Sequence, residues 1–262
     1  MTNSFPTDHP ASDIIGQTSV SVNGLSFAYS EDRAVLRGVN LHVQAGRKVA
    51  LLGSSGAGKS TLLLHMNGIH LPQQGRVTIG GHGVSTENLS HIRQAVGLVF
   101  QDPDDQLFHL TVEEDVAFGP RNFGLAEVAV RERVREALEA MQLVGFEQRL
   151  NQQLSFGERR RVSLATVFSM RPKVLALDEP FANLDPHMVR SLMETIRCFP
   201  GTVLLASQDI LPALGCCQEI AILHQGQIVA HGPVKEIAMD RELLQRCGVD
   251  FWYLADVLDK LR

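Results

Sequence analysis

The chain has 262 residues, 44% of them apolar, which supports a large buried core in one domain or in a domain with an inserted lobe. Its net charge of −5 argues against nucleic acid or anionic lipid as a direct electrostatic partner. Residues 1–21 are too polar for a signal peptide and no apolar run is long enough to cross a bilayer, so we expect any transmembrane pathway to come from other chains. Adjacent Cys216 and Cys217 are poor disulfide partners, and the cysteines lack metal-ligand spacing, which favours a reduced cytoplasm.

The first predicted elements form an antiparallel strand layer. Apolar residues alternate on both sides of Asn23-Gly24, a turn signal, and again over residues 39–43. An apolar run at 48–52 then ends in a glycine-rich turn, and residues 59–67 continue as a helix. This order predicts a strand-loop-helix unit after the antiparallel layer.

The rest of the chain predicts a mixed core with a helical insertion. Residues 96–100 form a buried strand, and residues 111 to about 170 have a helical pattern without a convincing strand. Further strands are predicted at 174–177, 203–206, 220–223 and 227–230, followed by a helical tail from residue 233. Apolar strands with helices between them indicate a parallel sheet in an α/β core.

A glycine-rich loop after the 48–52 strand has the pattern of a phosphate cradle. Its residues are Gly53, Ser54, Ser55, Gly56, Ala57, Gly58, Lys59, Ser60 and Thr61. Small residues let backbone N–H groups turn toward phosphate oxygens, Lys59 supplies positive charge, and the Ser60 hydroxyl can bind magnesium. The position between a strand and a helix separates this loop from a chance glycine-rich turn.

Two adjacent acids end the 174–177 strand. Asp178 can reach a magnesium ion from there, and Glu179 can orient or deprotonate an attacking water. An Asp-Glu pair after a strand is otherwise a helix cap or a surface turn. The phosphate loop upstream favours the catalytic interpretation.

These motifs belong to a longer series that resembles the ABC ATPases over nearly the whole chain. The matching residues are Tyr29 for the aromatic that stacks on adenine, Gln101 for the glutamine between lobes, Ser155, Phe156, Gly157 and Glu158 for the signature motif, and Asp185 in the loop after the magnesium strand. The resemblance implies that ATP and Mg²⁺ are the cofactors and that Gln101 joins Ser60 and Asp178 at the metal. Ordinary sheet packing is the alternative for Tyr29, and the arginines at 159–161 are interpreted as a solvated helix face and not as a ligand site.

The series departs from the family pattern at two places. The signature has Phe156 and Glu158 where the family prefers glycine and glutamine, although Leu-Ser-Phe-Gly is similar to a form in one importer branch. Gln208 stands where family members usually place a histidine that contacts the γ-phosphate. A glutamine can donate a hydrogen bond there, but it carries neither charge nor a transferable proton.

The segment from residue 99 to 120 is similar to the ATPase subunits of energy-coupling-factor importers, especially the cobalt and nickel type. In that family the segment after the glutamine meets coupling helices of a membrane partner. Acidic and apolar residues between Asp102 and Phe108, with Pro103 just after the strand, suit an exposed docking turn, whose alternative is an ordinary acidic loop.

The predicted fold is α/β: a P-loop NTPase core with an antiparallel β layer and an inserted helical lobe, as in an ABC ATPase domain spanning residues 1–262. We assign 17–101 and 173–232 to the nucleotide-binding core, 102–172 to the helical lobe and 233–262 to the tail.

The resemblance implies an ATP-hydrolysing subunit that powers an importer from the cytoplasmic face of the inner membrane, best fitting cobalt or nickel ions. Two copies, or this chain and a related ATPase, would close around ATP and magnesium, with Lys59, Gln101, Glu179 and Gln208 as catalytic residues and the signature supplied by the other copy. The transmembrane coupling and substrate-binding subunits would dock near residues 102–108.

The first alternative is a slow or non-hydrolysing nucleotide-dependent clamp, motivated by Gln208. The second, an ABC protein of DNA repair or ribosome function, is disfavoured by the lack of a coiled-coil insertion and of a basic face.

Overall fold

The computed structural model describes residues 18–208 and 210–249. The start of the predicted core at residue 17 and the part of the predicted tail after residue 249 lie outside these ranges. Within the described ranges, the chain forms two sheets with helices around them.

The first sheet is antiparallel and has the strand order β2-β1-β4-β5. Its strands are β1 (Val20–Ala28), β2 (Ala34–Val43), β4 (Gln74–Ile79) and β5 (His82–Gly83). The alternating apolar pattern predicted the first two, whereas β4, in which only Val77 and Ile79 alternate, and the two-residue β5 were not predicted.

The turn predicted at Asn23-Gly24 is wrong. Both residues lie inside β1, where the register with β2 shifts between Val22 and Leu25. Gly24 adopts a φ of 61° and its N–H donates to Asn40 Oδ1 at 2.9 Å. The glycine therefore makes a bulge in a continuous strand, because the neighbouring strands on both sides hold the chain extended.

The second sheet has the order β10-β9-β3-β8-β7-β6. Its strands are β3 (Lys48–Leu52), β6 (Val96–Val99), β7 (Val174–Asp178), β8 (Thr202–Ser207), β9 (Glu219–His224) and β10 (Gln227–Pro233). All are parallel except β10, which pairs antiparallel with β9. The predicted strands and α/β class are confirmed. Carboxyl ends of parallel strands share one edge, so the segments after β3, β6, β7 and β8 meet there.

The helices fill the connections. They are α1 (Lys59–Met66), α2 (Leu89–Ala95), α3 (Val112–Asn122), α4 (Glu127–Ala140), α5 (Phe156–Phe168), α6 (Pro186–Cys198), α7 (Ile210–Cys216), α8 (Val234–Ile237) and α9 (Arg241–Arg246). The predicted helical region contains α3, α4 and α5, which pack on one another. Among the described residues, no helix has the length and apolar character needed to cross a membrane. The residue boundaries assigned to core, lobe and tail stay predictions.

Alternate residues of β3 enter different hydrophobic cores. Val49 and Leu51 pack in the core that contains α1 and the antiparallel layer. Ala50 and Leu52 pack in the core that contains the helical region. Since all five residues of β3 are buried, both faces of the strand are covered. The strand thus gives the loop that follows it a rigid base.

Candidate active site

A cleft of about 530 Å³ lies at the carboxyl edge of the parallel sheet. Its walls include the loop after β3 and residues that follow β6, β7 and β8. The predicted site residues that line it are Tyr29, Ser55, Gly56, Gly58, Lys59, Ser60, Thr61, Gln101, Asp178, Glu179 and Gln208. The fold therefore brings together residues that are up to 179 positions apart in sequence (208 − 29).

The glycine-rich loop wraps around the ammonium group of Lys59. Lys59 Nζ donates to the carbonyl oxygens of Gly53 at 2.7 Å and Ser54 at 3.2 Å. Gly58 has a φ of 105°, and a Cβ there would lie 2.9 Å from a methyl carbon of Leu36, so the turn requires glycine. Burial lowers the pKa of Lys59, while the charges of Glu179 and Asp178 oppose that shift. A buried cation bonded to carbonyls in a loop of this form can pair with a phosphate.

Ser60, Asp178 and Gln101 offer oxygen atoms suited to a magnesium ion. The Ser60 side chain is hydrogen-bonded to Asp178, and Gln101 lines the same cleft. Burial raises the pKa of Asp178, with the hydrogen bond from Ser60 opposing that shift. A hydroxyl, a carboxylate and an amide oxygen form the hard donor set that Mg²⁺ prefers, and a bound cation would offset the cost of the buried carboxylate.

The Glu179 carboxylate is held on one side and has an unpaired oxygen on the other. Its Oε2 accepts from the Ser207 hydroxyl at 3.2 Å and from the Gln208 backbone N–H at 3.0 Å. Its Oε1 is buried and has no hydrogen-bond partner in the described ranges. Glu179 also adopts a φ of 46°, a conformation that is costly for a residue with a side chain. A fixed carboxylate with one available oxygen can accept a proton from a water molecule.

Tyr29 stands half exposed at the rim of the cleft. Its hydroxyl lies 3.2 Å from Thr61 Oγ1 and 3.2 Å from His70 Nε2. The Arg33 guanidinium carbon lies 6.0 Å from the centre of its ring. Two hydrogen-bonding partners hold the ring edge at the cleft, where an aromatic face can stack on a base.

The signature residues lie outside this cleft. Ser155 is exposed and caps α5, with its N–H donating to Glu158 Oε2 at 2.7 Å and its hydroxyl accepting from the Glu158 N–H. The hydrogen bond from the Ser155 backbone lowers the pKa of Glu158. Glu158 thus completes a capping box, which gives this departure from the family pattern a local structural role.

Asp185 is also outside the cleft. It is the N-cap of α6 and accepts from the N–H groups of His187 and Met188. Gly157 lies next to the same loop, because a Cβ there would be 3.4 Å from the Asn183 carbonyl oxygen. The structure therefore separates the predicted residues into a cleft group and an exposed group around Ser155 and Asp185.

Comparison with known proteins identifies the family. A family model described as ABC transporter matches residues 36–182. The chain belongs to the ABC transporter family. The energy-coupling factor transporter ATP-binding protein EcfA of Methanothermobacter thermautotrophicus is 44% identical over 250 residues, which are 93% of this chain and 80% of that protein.

Two solved structures of ABC proteins extend the comparison. The structure of cbiO1 from Clostridium perfringens, part of the ABC transporter complex cbiONQ, has a TM-score of 0.76 and 33% identity, covering 92% of this chain and 98% of that one. A dimeric ATP-binding cassette in a post-hydrolysis state, bound to ADP and Pi, has a TM-score of 0.75 and 26% identity, covering 82% and 98%. The chain is thus an ABC ATPase in fold and family.

The docking turn predicted in this ABC protein is only partly exposed. Pro103 is buried and Leu107 packs against the core, whereas Asp104 is exposed and pairs with Arg159 at 2.9 Å. The large exposed apolar residues lie slightly later, with Phe108 65% and Leu110 70% exposed. The predicted turn therefore exposes its apolar surface around Phe108 and not at Leu107.

Arg160 has a structural role that its sequence context did not indicate. A solvated helix face is the wrong description for this arginine, which is fully buried and donates to the carbonyl oxygens of Phe100, Gln101 and Glu179. A run of three arginines gives no sign of which one turns inward, because that depends on how α5 packs against the ends of β6 and β7.

Proposed function

We propose that this ABC ATPase hydrolyses ATP to power an importer of the energy-coupling-factor type. The observation that carries the proposal is the fixed Glu179 carboxylate, because Glu179 lines the same cleft as Lys59 and Asp178 and its buried Oε1 has no hydrogen-bond partner in the described ranges. That arrangement suits a base that activates water beside a bound nucleotide. The similarity to EcfA supports the transporter class.

Different residues of the cleft bind the adenine, the phosphates, the metal ion and the attacking water. Tyr29 stacks on the adenine, the N–H groups of the loop at 53–61 surround the phosphates, and Lys59 leaves its carbonyl partners to pair with phosphate oxygens. Ser60, Asp178 and Gln101 would hold Mg²⁺, which when bound would offset the negative charge of the phosphates. Glu179 then orients water and accepts its proton.

The exposed group completes the site of a second ATPase chain. Ser155 and Gly157 begin α5, so the hydroxyl and the N–H groups of the helix start can contact a γ-phosphate held by another copy. Asp185 lies in the loop next to Gly157, because a Cβ at Gly157 would be 3.4 Å from the carbonyl oxygen of Asn183 in that loop. We propose a head-to-tail homodimer, or a dimer with a related ATPase chain, with two such composite sites.

The membrane partners dock on an aromatic patch formed by Phe108, His109, Leu110 and Phe118. Phe108 and Phe118 meet edge to face with ring centres 4.9 Å apart, and both are exposed. An apolar patch of this kind suits a helix of a transmembrane subunit. The ATPase would then lie on the cytoplasmic face of the membrane, and the resemblance of residues 99–120 to the ATPase subunits of cobalt and nickel importers supports those ions as cargo.

The test separates nucleotide binding from hydrolysis. We expect Lys59→Ala to abolish ATP binding, because it removes the charge that pairs with phosphate. We expect Glu179→Gln to keep binding and to lower kcat by about 10²–10⁴-fold, the contribution of a general base. Glu194→Gln, an exposed glutamate on α6, is the matched control. If Glu179→Gln hydrolysed ATP at the parental rate, Glu179 would not be the base. A separate measurement, ion-dependent uptake by the complex assembled with its membrane subunits, would identify the cargo.

A further inference from the structure

Arg160 forms a buried connection between two strand ends and a helix. Its NH1 group donates to the Phe100 carbonyl at 2.6 Å, and its NH2 group donates to the carbonyls of Gln101 and, at 3.2 Å, Glu179. Phe100 and Gln101 follow β6, Glu179 follows β7, and Arg160 itself lies on α5. One guanidinium therefore fixes the backbone at two positions of the cleft.

The same helix also holds the segment that leads to the aromatic patch. Arg159 pairs with Asp104, and the Gln106 side chain donates to the Ser163 carbonyl at 2.8 Å and to the Thr166 hydroxyl at 2.7 Å. Gln106 Oε1 in turn accepts from the Phe100 N–H at 3.2 Å. Residues 100–106 are thus attached to α5 along most of their length.

This connection is costly for the fold. Burying a guanidinium requires compensation, and the described hydrogen bonds of Arg160 go to neutral carbonyls, while its Nε has no partner in the part of the chain described. Burial lowers the pKa of Arg160, and the charges of Asp178, Asp102 and Glu179 oppose that shift. A well-packed apolar side chain would fill the space at lower cost, so the hydrogen bonds point to a positioning role.

We infer that Arg160 is a positioning residue that holds Gln101 and the catalytic Glu179 in one arrangement and transmits displacements of residues 100–106 to Glu179. The inference rests on the proposed function, which makes Glu179 the base and the aromatic patch the docking surface. Loss of the connection leaves the phosphate loop intact, so nucleotide affinity is kept while hydrolysis and its stimulation by membrane partners fall.

Mixed dimers test which site depends on Arg160. When Arg160→Gln and Glu179→Gln are in different chains, the one intact Glu179 lies in the chain without Arg160. When both changes are in the same chain, the intact Glu179 has its arginine. We expect turnover in the first arrangement to fall about 10-fold or more below a dimer with Glu179→Gln alone, since small displacements of catalytic groups are costly. The second arrangement should stay within about twofold of that dimer.

A second series separates positioning from space filling. Arg160→Lys keeps a donor that can reach some of the carbonyls, whereas Arg160→Met keeps volume without donors. We expect partial recovery of kcat in the lysine variant, none in the methionine variant, and an ATP KM near the parental value in both. Arg133→Gln is the control, because Arg133 donates to the Met170 carbonyl on the helical side, away from the cleft.

Hydrogen exchange provides a readout that does not depend on turnover. The backbone amides at 101, 102 and 104–106 should exchange faster in Arg160→Gln, with little change in α1 or in the Arg133→Gln control; Pro103 has no amide hydrogen. Equal turnover in the two mixed arrangements, equal kcat in the lysine and methionine variants, or unchanged exchange over 101–106 would overturn the inference. A Glu179→Gln dimer with parental activity would instead contradict the proposed function itself.

Discussion

His70 holds the polar edge of Tyr29 at the rim of the cleft. His70 Nε2 lies 3.2 Å from the Tyr29 hydroxyl oxygen, and the two rings meet at 81°. Phe27 stacks on His70 with ring centres 4.8 Å apart and also meets the Tyr29 ring edge to face at 5.1 Å. The histidine is therefore fixed by β1 and in turn fixes the ring proposed to stack on adenine.

This contact predicts that His70→Ala weakens ATP binding without slowing the chemical step. Loss of one hydrogen bond of about 0.5–1.5 kcal/mol corresponds to a rise in KM of about 2–10-fold. The control is His91→Ala, which alters an exposed histidine that contacts His82 on the antiparallel layer. The measurement is kcat and the KM for ATP in wild type and both variants. A fall in kcat at unchanged KM would contradict the proposed role of Tyr29.

Asp178 predicts an unusual dependence of stability on pH. Burial raises its pKa in the folded chain above the unfolded value, so its contribution to stability is full below the unfolded pKa and is lost as pH rises through the folded pKa. Asparagine does not ionise. We therefore expect nucleotide-free Asp178→Asn to have a higher Tm than wild type at pH 8, with the difference shrinking toward about pH 4.

Asp185→Asn is the matched control with the opposite sign. Hydrogen bonds from the Met188 and His187 N–H groups lower the pKa of Asp185, so its contribution is present above the unfolded pKa and lost on acidification. Asparagine caps a helix about as well as aspartate, so the Tm at pH 8 should stay the same or fall slightly. An Asp178→Asn variant less stable than wild type at pH 8 would refute the role of burial.

Ser155→Arg should block turnover without weakening ATP binding by the monomer. Ser155 lies outside the cleft of its own chain, so an arginine there would obstruct only the site of the other copy. Mixed dimers with Glu179→Gln chains give the measurement, since the inactive site can be assigned to one chain or the other. Full turnover by the pure Ser155→Arg dimer would exclude the composite site.

Replacing Phe108 and Leu110 by serine should prevent assembly with the membrane subunits and leave the fold intact. Both side chains are largely exposed, so their loss removes little buried apolar area from the chain itself. The control replaces Val128 and Val144, which are 73% and 69% exposed elsewhere in the helical region. Pull-down and transport assays compare the variants, and retained assembly would move the docking surface elsewhere.

Gln208 makes two separable contributions. Its backbone N–H donates to Glu179 whatever the side chain is, and the residue lines the cleft, where its side chain would be available to a bound nucleotide. We expect slow hydrolysis in wild type, faster hydrolysis in Gln208→His, and a fall of up to about 10²–10³-fold in Gln208→Ala, the cost of one lost donor. Rates should be measured at saturating ATP and magnesium, because they then report kcat without a contribution from substrate affinity. Equal rates in all three proteins would remove the side chain from the mechanism.

The sequence determined the local features of this protein. The glycine-rich loop at 53–61 and the acids Asp178 and Glu179 follow apolar strands, and such strand ends are recognisable from composition and spacing alone. The α/β class followed from the same strands, since apolar runs separated by helices form a parallel sheet. The register of β1 was not accessible in this way, because Asn23-Gly24 signals a turn unless flanking strands hold it extended.

Only the tertiary structure decided which distant side chains meet. His70 reaches Tyr29 across 41 residues, and Arg160 reaches carbonyls 60 and 19 positions away, although nothing in their local sequence distinguishes them from surface residues. A buried polar group must find its partners wherever packing brings donors and acceptors together. That pairing depends on how β6, β7 and α5 lie against one another, which the sequence pattern of each element leaves undetermined.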